Sequence, residues 1–299
     1  MAYRCSGLTN DELVENMAAN DLIQDTRVVE ALKKVDRRNY VLNQRDAYVD
    51  SPQSILGNAT ISAPHMHATA AQYLSPYLKP GSKVLDVGSG SGYLCAVFYH
   101  LISSNSSINI SGVEDKGIVV GVDHIPELVG WSKSNLQKDG LSDALDGNEK
   151  ARSASIQILT ADGRLGWPPS SPYDAIHVGA AAVSEDDGNG GPHSPQALVK
   201  QLKAPGRMFV PVEGRSGDQK IYVVDKDENG IVSEKAVLNV MYVPLTDKEK
   251  QIKLYVNDHI DVRSLFDAQD GVFVMACDNT RNLGLVDRMA CPQTKHAYP

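Results

Sequence analysis

The 299-residue chain is long enough to bury roughly 75% of its unfolded surface in one large domain, and with 42% hydrophobic and 22% charged residues it has the composition of an ordinary soluble globular protein. Its formal net charge of −8 works against a nucleic-acid backbone or an anionic membrane as the main partner. Its cysteines, Cys5, Cys95, Cys277 and Cys291, show no C-x-x-C spacing, which excludes a disulfide framework and a cysteine zinc site and suits a reducing compartment.

The opening MAYRCSGLTNDELVEN has no apolar stretch of the kind a secretory signal carries. No apolar run approaches the roughly 20 residues of a membrane span, so a cytoplasmic protein without a membrane partner is expected. Thr9 to Glu12 reads as a capping box that starts a helix with Leu13, Val14 and Met17 on its apolar side. A second helix is predicted over residues 26–36, with Val28, Ala31, Leu32 and Val35 at helical spacing. Residues 43–61 are turn-rich and polar. A third helix is predicted from Ser62, with Met66, Ala70, Leu74 and Leu78 as its stripe. From Lys83 onward, short apolar runs alternate with helices. Strands are predicted over 83–87, 118–122, 155–160, 175–178 and 208–212, and helices over 93–101, from Pro126, and over 195–202. Two last strands, 221–224 and 231–243, flank DKDENG at 225–230, where Asn-Gly marks a hairpin.

This alternation, with several continuous apolar runs, predicts an α/β fold: a doubly wound, mostly parallel sheet with an antiparallel edge hairpin. Residues 103–117, 139–154 and 184–194 read as inserted polar loops. A main domain of residues 1–252 is followed by a C-terminal extension, 253–299. In that extension LYVNDHIDVRSLF fits a short helix or a strand, and GVFVMACDN fits a buried strand. The extension is either an extra element at the sheet edge or a loosely ordered tail.

VLDVGSGSGYL at 84–94 puts Gly88, Gly90 and Gly92 between a predicted strand and a predicted helix. Glycine lets the backbone approach a ligand closely, and in an open α/β sheet ligands sit at the carboxyl ends of the strands. The plainer reading is a tight strand-to-helix turn. The dinucleotide fingerprint G-x-G-x-x-G fails, because Tyr93 stands three residues after Gly90. Asp123 also stands 31 residues beyond Gly92, against roughly 20 for the acidic residue of that fingerprint. Both points argue against a nicotinamide oxidoreductase. The G-x-G-x-G spacing after Asp86 instead resembles the first motif of the S-adenosylmethionine-dependent methyltransferases. Asp123 ends the next strand, where a carboxylate can accept two hydrogen bonds from a ribose diol. Asp162 ends the strand after it and suits an adenine edge. Each aspartate alone equally fits a turn or a helix cap; with the glycine loop they form a set at the ends of successive strands.

In ATISAPHMHA at 59–68, Ser62 stands before Ala63 and Pro64 and reads as a helix N-cap with proline in the first turn. That helix start also presents free N–H groups and a positive dipole end, which suits a carboxylate. His65 and His67 are two apart and face different ways on a helix. With no i,i+4 partner, Glu or Cys to complete a site, no metal is expected. This string occurs with DSPQSI at 50–55, LDVGSGSG at 85–92, GVDH at 121–124, DGR at 162–164, PYDAIHVGAAA at 172–182 and YVPLTDKEKQ at 242–251. Together they closely resemble the protein-L-isoaspartate (D-aspartate) O-methyltransferase family, over roughly residues 1–252.

The resemblance implies a class I, Rossmann-like methyltransferase with S-adenosyl-L-methionine as cofactor. It implies Ser62 as the catalytic serine, with Ala59, Thr60 and Ile61 lining the site beside it. Gly88 and Ser91 of the glycine loop, Asp123, and Asp162 with Gly163 would bind the cofactor; His67, Thr246 and Gln251 match family positions near the ligand. The implied reaction methylates the carboxylate of isoaspartyl (and D-aspartyl) residues in damaged proteins and peptides. The ester then closes to a succinimide that reopens partly to normal aspartate, which is protein repair. No heptad run or large apolar stripe is evident, so a monomer is expected. Two rivals stand beside this reading. One is a methyltransferase of small molecules or RNA, which the acidic balance and ATISAPHMHA oppose. The other is an inactive cofactor-binding protein whose groove the inserts or the tail block.

Overall fold

The computed structural model of the chain describes residues 5–103, 117–145, 154–186 and 191–252. Of the predicted inserts, residues 104–116, 146–153 and 187–190 lie outside the described residues, and the extension 253–299 lies wholly outside them.

α1 (Asn10–Ala19) starts from the predicted cap. Thr9 Oγ1 accepts from Glu12 N at 3.1 Å, and the Glu12 carboxylate accepts from Leu8 N at 2.8 Å, one residue ahead of the cap. Leu13, Val14 and Met17 are buried. α2 (Thr26–Lys34) buries Val28, Ala31 and Leu32. It stops short of residue 36 because Asp36 caps the next 3-10 turn, Arg37–Tyr40, by accepting from Arg38 N at 3.0 Å. The 43–61 stretch is turn-rich as expected, but it also holds a small antiparallel ladder of β1 (Gln53–Ser54) with β2 (Thr60–Ile61). α3 runs Pro64–Leu74, two residues later than predicted, with Ala63 as its N-cap. Ala70 and Leu74 of the expected stripe are buried, Met66 is half-buried, and Leu78 lies beyond the helix after the 3-10 turn Ser75–Tyr77.

Then follow β3 (Lys83–Val87), α4 (Tyr93–Ile102), β4 (Gly117–Asp123), α5 (Pro126–Lys138), β5 (Ala154–Thr160), β6 (Tyr173–Val178), β7 (Ala182–Val183), α6 (Gln196–Val199), β8 (Leu202–Glu213), β9 (Gln219–Lys226) and β10 (Val232–Val240). The path across the sheet is β10-β9-β8-β6-β3-β4-β5, with β7 beside the end of β8. Neighbours from β8 to β5 run parallel, while β9 pairs antiparallel with both β8 and β10. The mostly parallel sheet with an antiparallel edge hairpin is thus as the sequence predicts. α6 is shorter than 195–202 because the chain already enters β8 at Leu202. Pro205 falls where β8 slips register against β6, a place where a strand tolerates proline.

The chain leaves β3 toward β4 and β5, then returns to β6 on the other side of β3. Connections that part in this way open a crevice at the carboxyl ends of the strands. Val84, Val119, Ile156, Ala175 and Phe209 share a core with α1 to α5 on one face. Leu85, Val87, Val120, Val122, Ile176 and Val178 share a second core with Leu198 and Val199 of α6 on the other. Burial on both faces accounts for the continuous apolar runs, and each fully buried Val or Leu contributes about 1.5–3 kcal/mol. Gly121 lets α4 lie close on β4: an added Cβ would stand 2.7 Å from Cys95 Sγ and 2.8 Å from Ile158 Cδ1. Gly121→Ala is therefore predicted to destabilise the protein by about 1–3 kcal/mol. The change reads as a lower urea midpoint at constant m-value, and an unchanged midpoint would contradict the packing described.

Candidate active site

The loop after β3 turns into α4 through left-handed glycines, with φ of 72°, 50° and 83° at Gly88, Gly90 and Gly92. Gly92 is the N-cap of α4, and a Cβ there would stand 2.3 Å from Ser132 Oγ. The loop is bound to its neighbours on both sides. Gly88 N and Ser89 N donate to Val122 O at 2.8 and 3.0 Å, and Gly179 N donates to Val87 O at 2.8 Å. Asp123 is buried at the end of β4, where it accepts from Gly90 N at 3.2 Å and Ile125 N at 3.0 Å. Burial pushes its pKa above the ordinary carboxylate value, against the lowering effect of these donors and of His124. An ionised carboxylate offers about four lone-pair sites, so two remain for a ligand.

A cleft opens in front of this loop, at the carboxyl ends of the strands where ligands of open α/β sheets sit. Ala59 and Thr60 form one wall, Gly88, Gly90, Asp123 and His124 the floor, and Asp162, Gly163, Gly179 and Ala180 the far side, with Thr246 and Gln251 closing it. Gln251 bridges the cleft: its Nε2 donates to Gly57 O at 2.7 Å, and its Oε1 lies 2.7 Å from His124 Nε2. Because a carbonyl oxygen only accepts, His124 carries its proton on Nε2. Asp162 caps the 3-10 turn Gly163–Leu165, and its carboxylate is gripped by Arg164, whose Nη2 and Nε lie 2.7 and 2.9 Å away. Arg164 holds the Asp162 carboxyl below the usual carboxylate range and also pairs with Asp247 at 2.7 Å.

A second, smaller cavity shares Thr60, Gly88, Gly90 and Gly179 with the first, and is completed by Ile61, Ser62, His67, Asp86, Ser91, Tyr93 and His177 among others. Ser62 does not cap α3, and Ala63 makes no side-chain cap bond. Asp50 does so from a distance: its Oδ1 accepts from His65 N at 3.0 Å and lies 2.8 Å from His65 Nδ1. Ser62 is thereby left to line the cavity, with the Tyr242 hydroxyl beside it; burial pushes that phenol up to about 12. Asp86, the acidic residue ahead of the glycine loop, is used inside the protein, with His177 Nδ1 at 2.7 Å and Cys95 Sγ at 3.3 Å.

Every predicted site residue lines one of these two cavities. Ala59, Thr60, Gly88, Asp123, Asp162, Gly163, Thr246 and Gln251 line the larger, and Ile61, Ser62, His67 and Ser91 the smaller. His124, His177, Gly179 and Tyr242 were not predicted. All four lie inside the GVDH, PYDAIHVGAAA and YVPLTDKEKQ strings, but a histidine within an apolar strand carries no signal of its own.

The family model described as Protein-L-isoaspartate(D-aspartate) O-methyltransferase matches residues 8–250. Protein-L-isoaspartate O-methyltransferase 1 of Arabidopsis thaliana is 43% identical over 244 residues, 82% of this chain and 94% of the relative. The Caenorhabditis elegans protein-L-isoaspartate O-methyltransferase is 41% identical over 251 residues, 84% of this chain and 98% of its own. A Plasmodium falciparum chain crystallised in complex with S-adenosyl-L-homocysteine superposes with a TM-score of 0.64 at 28% identity, covering 80% of this chain and 99% of that one. Sheet order, glycine loop and paired cavities thus coincide with a match along the whole described unit, and the chain belongs to the protein-L-isoaspartate (D-aspartate) O-methyltransferase family, with its class I, Rossmann-like methyltransferase fold.

Proposed function

We propose that the chain transfers a methyl group from S-adenosyl-L-methionine to the carboxylate of L-isoaspartyl and D-aspartyl residues in damaged proteins and peptides, with Ser62 as the residue that orients the carboxylate. The observation that carries this reading is the common wall of the two cavities, with the uncapped Ser62 hydroxyl in the smaller one.

The larger cleft fits the cofactor. Its far side packs against the glycine loop: a Cβ at Gly179 would stand 3.0 Å from Gly88 O. Asp123 keeps acceptor capacity for a ribose diol. Ala59, Thr60, Ile61, Ser62, His67, Gly88, Ser91, Asp123, Asp162, Gly163, Thr246 and Gln251 would hold the cofactor, with Ser62 also facing the acceptor. S-adenosylmethionine supplies a methyl group on a positively charged sulfur. A free carboxyl has an ordinary pKa near 3.9 and is already ionised at pH 7, so the protein needs no general base. What it supplies is position and shelter from water. Oriented reactants reach effective molarities of about 10⁵ M or more, and excluding water strengthens each remaining polar contact. Ser62 donates its hydroxyl hydrogen to the carboxylate and forms no covalent intermediate.

The catalytic unit is residues 1–252, with 253–299 as an appendage; the compact unit that contains the site ends at Leu254. The chain works as a monomer in the cytoplasm. Support comes from the buried free thiols of Cys5 and Cys95, which suit a reducing compartment, and from the described helices, none long and apolar enough to cross a membrane.

The direct test offers radiolabelled S-adenosylmethionine and two peptides that differ in one aspartyl or isoaspartyl linkage. Base-labile label on the isoaspartyl peptide alone is expected. Label on neither, with the cofactor bound, would favour the inactive binding protein. Ser62→Ala is predicted to lower kcat by roughly 10- to 150-fold, the loss of one hydrogen bond to a charged group, with cofactor affinity within about twofold of the parent; normal turnover would remove Ser62 from this role. Asp123 gives a pH prediction. Its raised pKa means that acidification protonates it earlier than an exposed aspartate. Cofactor affinity should therefore fall as pH drops through that raised value. Asp123→Asn should lose roughly 10- to 150-fold in affinity at neutral pH and lose this acid limb. Titration calorimetry with S-adenosylhomocysteine reads both, and a limb that persists in the variant would assign it to another group.

A further inference from the structure

Arg37 brings a positive charge into the interior without a negative group in contact. It opens the 3-10 turn after α2 and is fully buried, and no carboxylate forms an ion pair with it among the described residues. Asp50 is the acid whose charge reaches it, but Asp50 Oδ1 is engaged by His65. The Arg37 Nε has no hydrogen-bond partner at all. An uncompensated buried guanidinium is expensive, so its neighbours say what it is for. Its Nη2 donates to Ser62 O at 2.7 Å, its Nη1 lies 3.2 Å from His67 Nδ1, and its guanidinium carbon sits 5.4 Å from the centre of the Tyr93 ring. All three contacted residues line the smaller cavity.

The contact with His67 fixes the polarity of that cavity. A guanidinium only donates, so His67 Nδ1 must accept. The neutral ring then carries its proton on Nε2, which has no protein partner among the described residues. Burial, reinforced by the charge of Arg37, holds the His67 pKa well below the usual histidine range, so the ring stays neutral.

We propose that Arg37 is a positioning residue that makes the smaller cavity a carboxylate site: it sets His67 as an Nε2–H donor, anchors the Ser62 backbone, and lends the cavity a positive charge with no carboxylate in contact with it, while the carboxylate in the cavity's own lining, Asp86, is held by His177. This rests on the reading of the cavity given above, and deepens it. The ligand chemistry is a carboxylate, that of the methyl acceptor or that of the cofactor's amino-acid tail.

The test uses the full chain with ¹⁵N-labelled histidine, and Arg37→Met, Arg37→Lys, His67→Gln and His67→Asn. Nitrogen–proton correlation spectra of the parent should show His67 neutral with its proton on Nε2, and Arg37→Met should lose this single tautomer. Kinetically, Arg37→Met should weaken carboxylate binding roughly tenfold or more, with partial recovery in Arg37→Lys. A rise confined to the peptide KM assigns the acceptor's carboxylate, and a rise confined to the dissociation constant of S-adenosylhomocysteine assigns the cofactor's; either supports the proposal. His67→Gln keeps a donor near the Nε2 position, whereas His67→Asn keeps the group that faces Arg37 and drops that donor. The Gln variant should be the more active, and this comparison stands even if the Arg37 variants fail to fold. A proton on Nδ1 in the parent, equal activity of the two His67 variants, or unchanged affinities in a folded Arg37→Met would each overturn the proposal. A parent enzyme that methylates no isoaspartyl peptide would instead sink the functional reading, and the tautomer and the S-adenosylhomocysteine affinity would still judge Arg37.

Discussion

Everything at the site depends on how the backbone parts at the carboxyl end of β3. Once β4 and β6 lie on either side of that strand, the next residues must satisfy their own N–H groups while turning into α4. They do so inward: Gly88 and Ser89 donate to Val122 O, Gly90 to Asp123, and Gly92 to Ser89 O. A loop with its N–H groups used in this way has few left to cradle a pyrophosphate, which needs free donors at a helix start. The same bonding holds Asp123 and Gly179 in place around the cleft. The choice against a dinucleotide is therefore visible in the hydrogen bonds, as well as in the failed G-x-G-x-x-G spacing.

A second constraint joins DSPQSI to ATISAPHMHA. The first turn of α3 needs an acceptor for its exposed N–H groups. Sequence alone points to Ser62, a good capping residue two positions before Pro64. The fold supplies Asp50 instead, twelve residues upstream of Ser62, accepting from His65 N. One carboxylate thus ends the competition for the serine hydroxyl and leaves it to the cavity. Local propensity gave way to a tertiary contact, and the place where it gave way is where the chemistry is expected.

This contrast marks how much was readable in advance. The strands, the glycine loop, Asp123 and Asp162 lie at element ends, where spacing along the chain nearly determines position in space. Contacts across long separations were hidden: Gln251 reaches Gly57 and His124, and Asp86 reaches His177. Asp162 shows the limit in the other direction. Its place at the cleft followed from its strand, but its engagement by Arg164, two residues on, depends on a turn that also brings in Asp247. The short α6 follows from the early entry into β8, which no helical period could announce.

Charge alone cannot provide the discrimination this reaction needs. An aspartyl and an isoaspartyl residue carry the same single carboxylate, and the chain's net charge of −8 repels both alike. At physiological salt that repulsion is screened beyond about 8 Å, whereas a buried charge such as that of Arg37 is screened far less. A local positive field can draw a carboxylate in, but what separates the two substrates is the length of the arm between carboxylate and peptide chain, one methylene shorter in the isoaspartyl form. Where the smaller cavity takes the acceptor's carboxylate, as proposed, selectivity resides in how far that cavity lies from the surface along which the peptide runs. Its lining includes residues of β2, the first turn of α3 and the loop of Gly88 and Gly90, elements tied in place by the Asp50 cap and by the bonds at the end of β3. On the proposed reading, the same contacts that free Ser62 also hold the depth by which one linkage is told from the other.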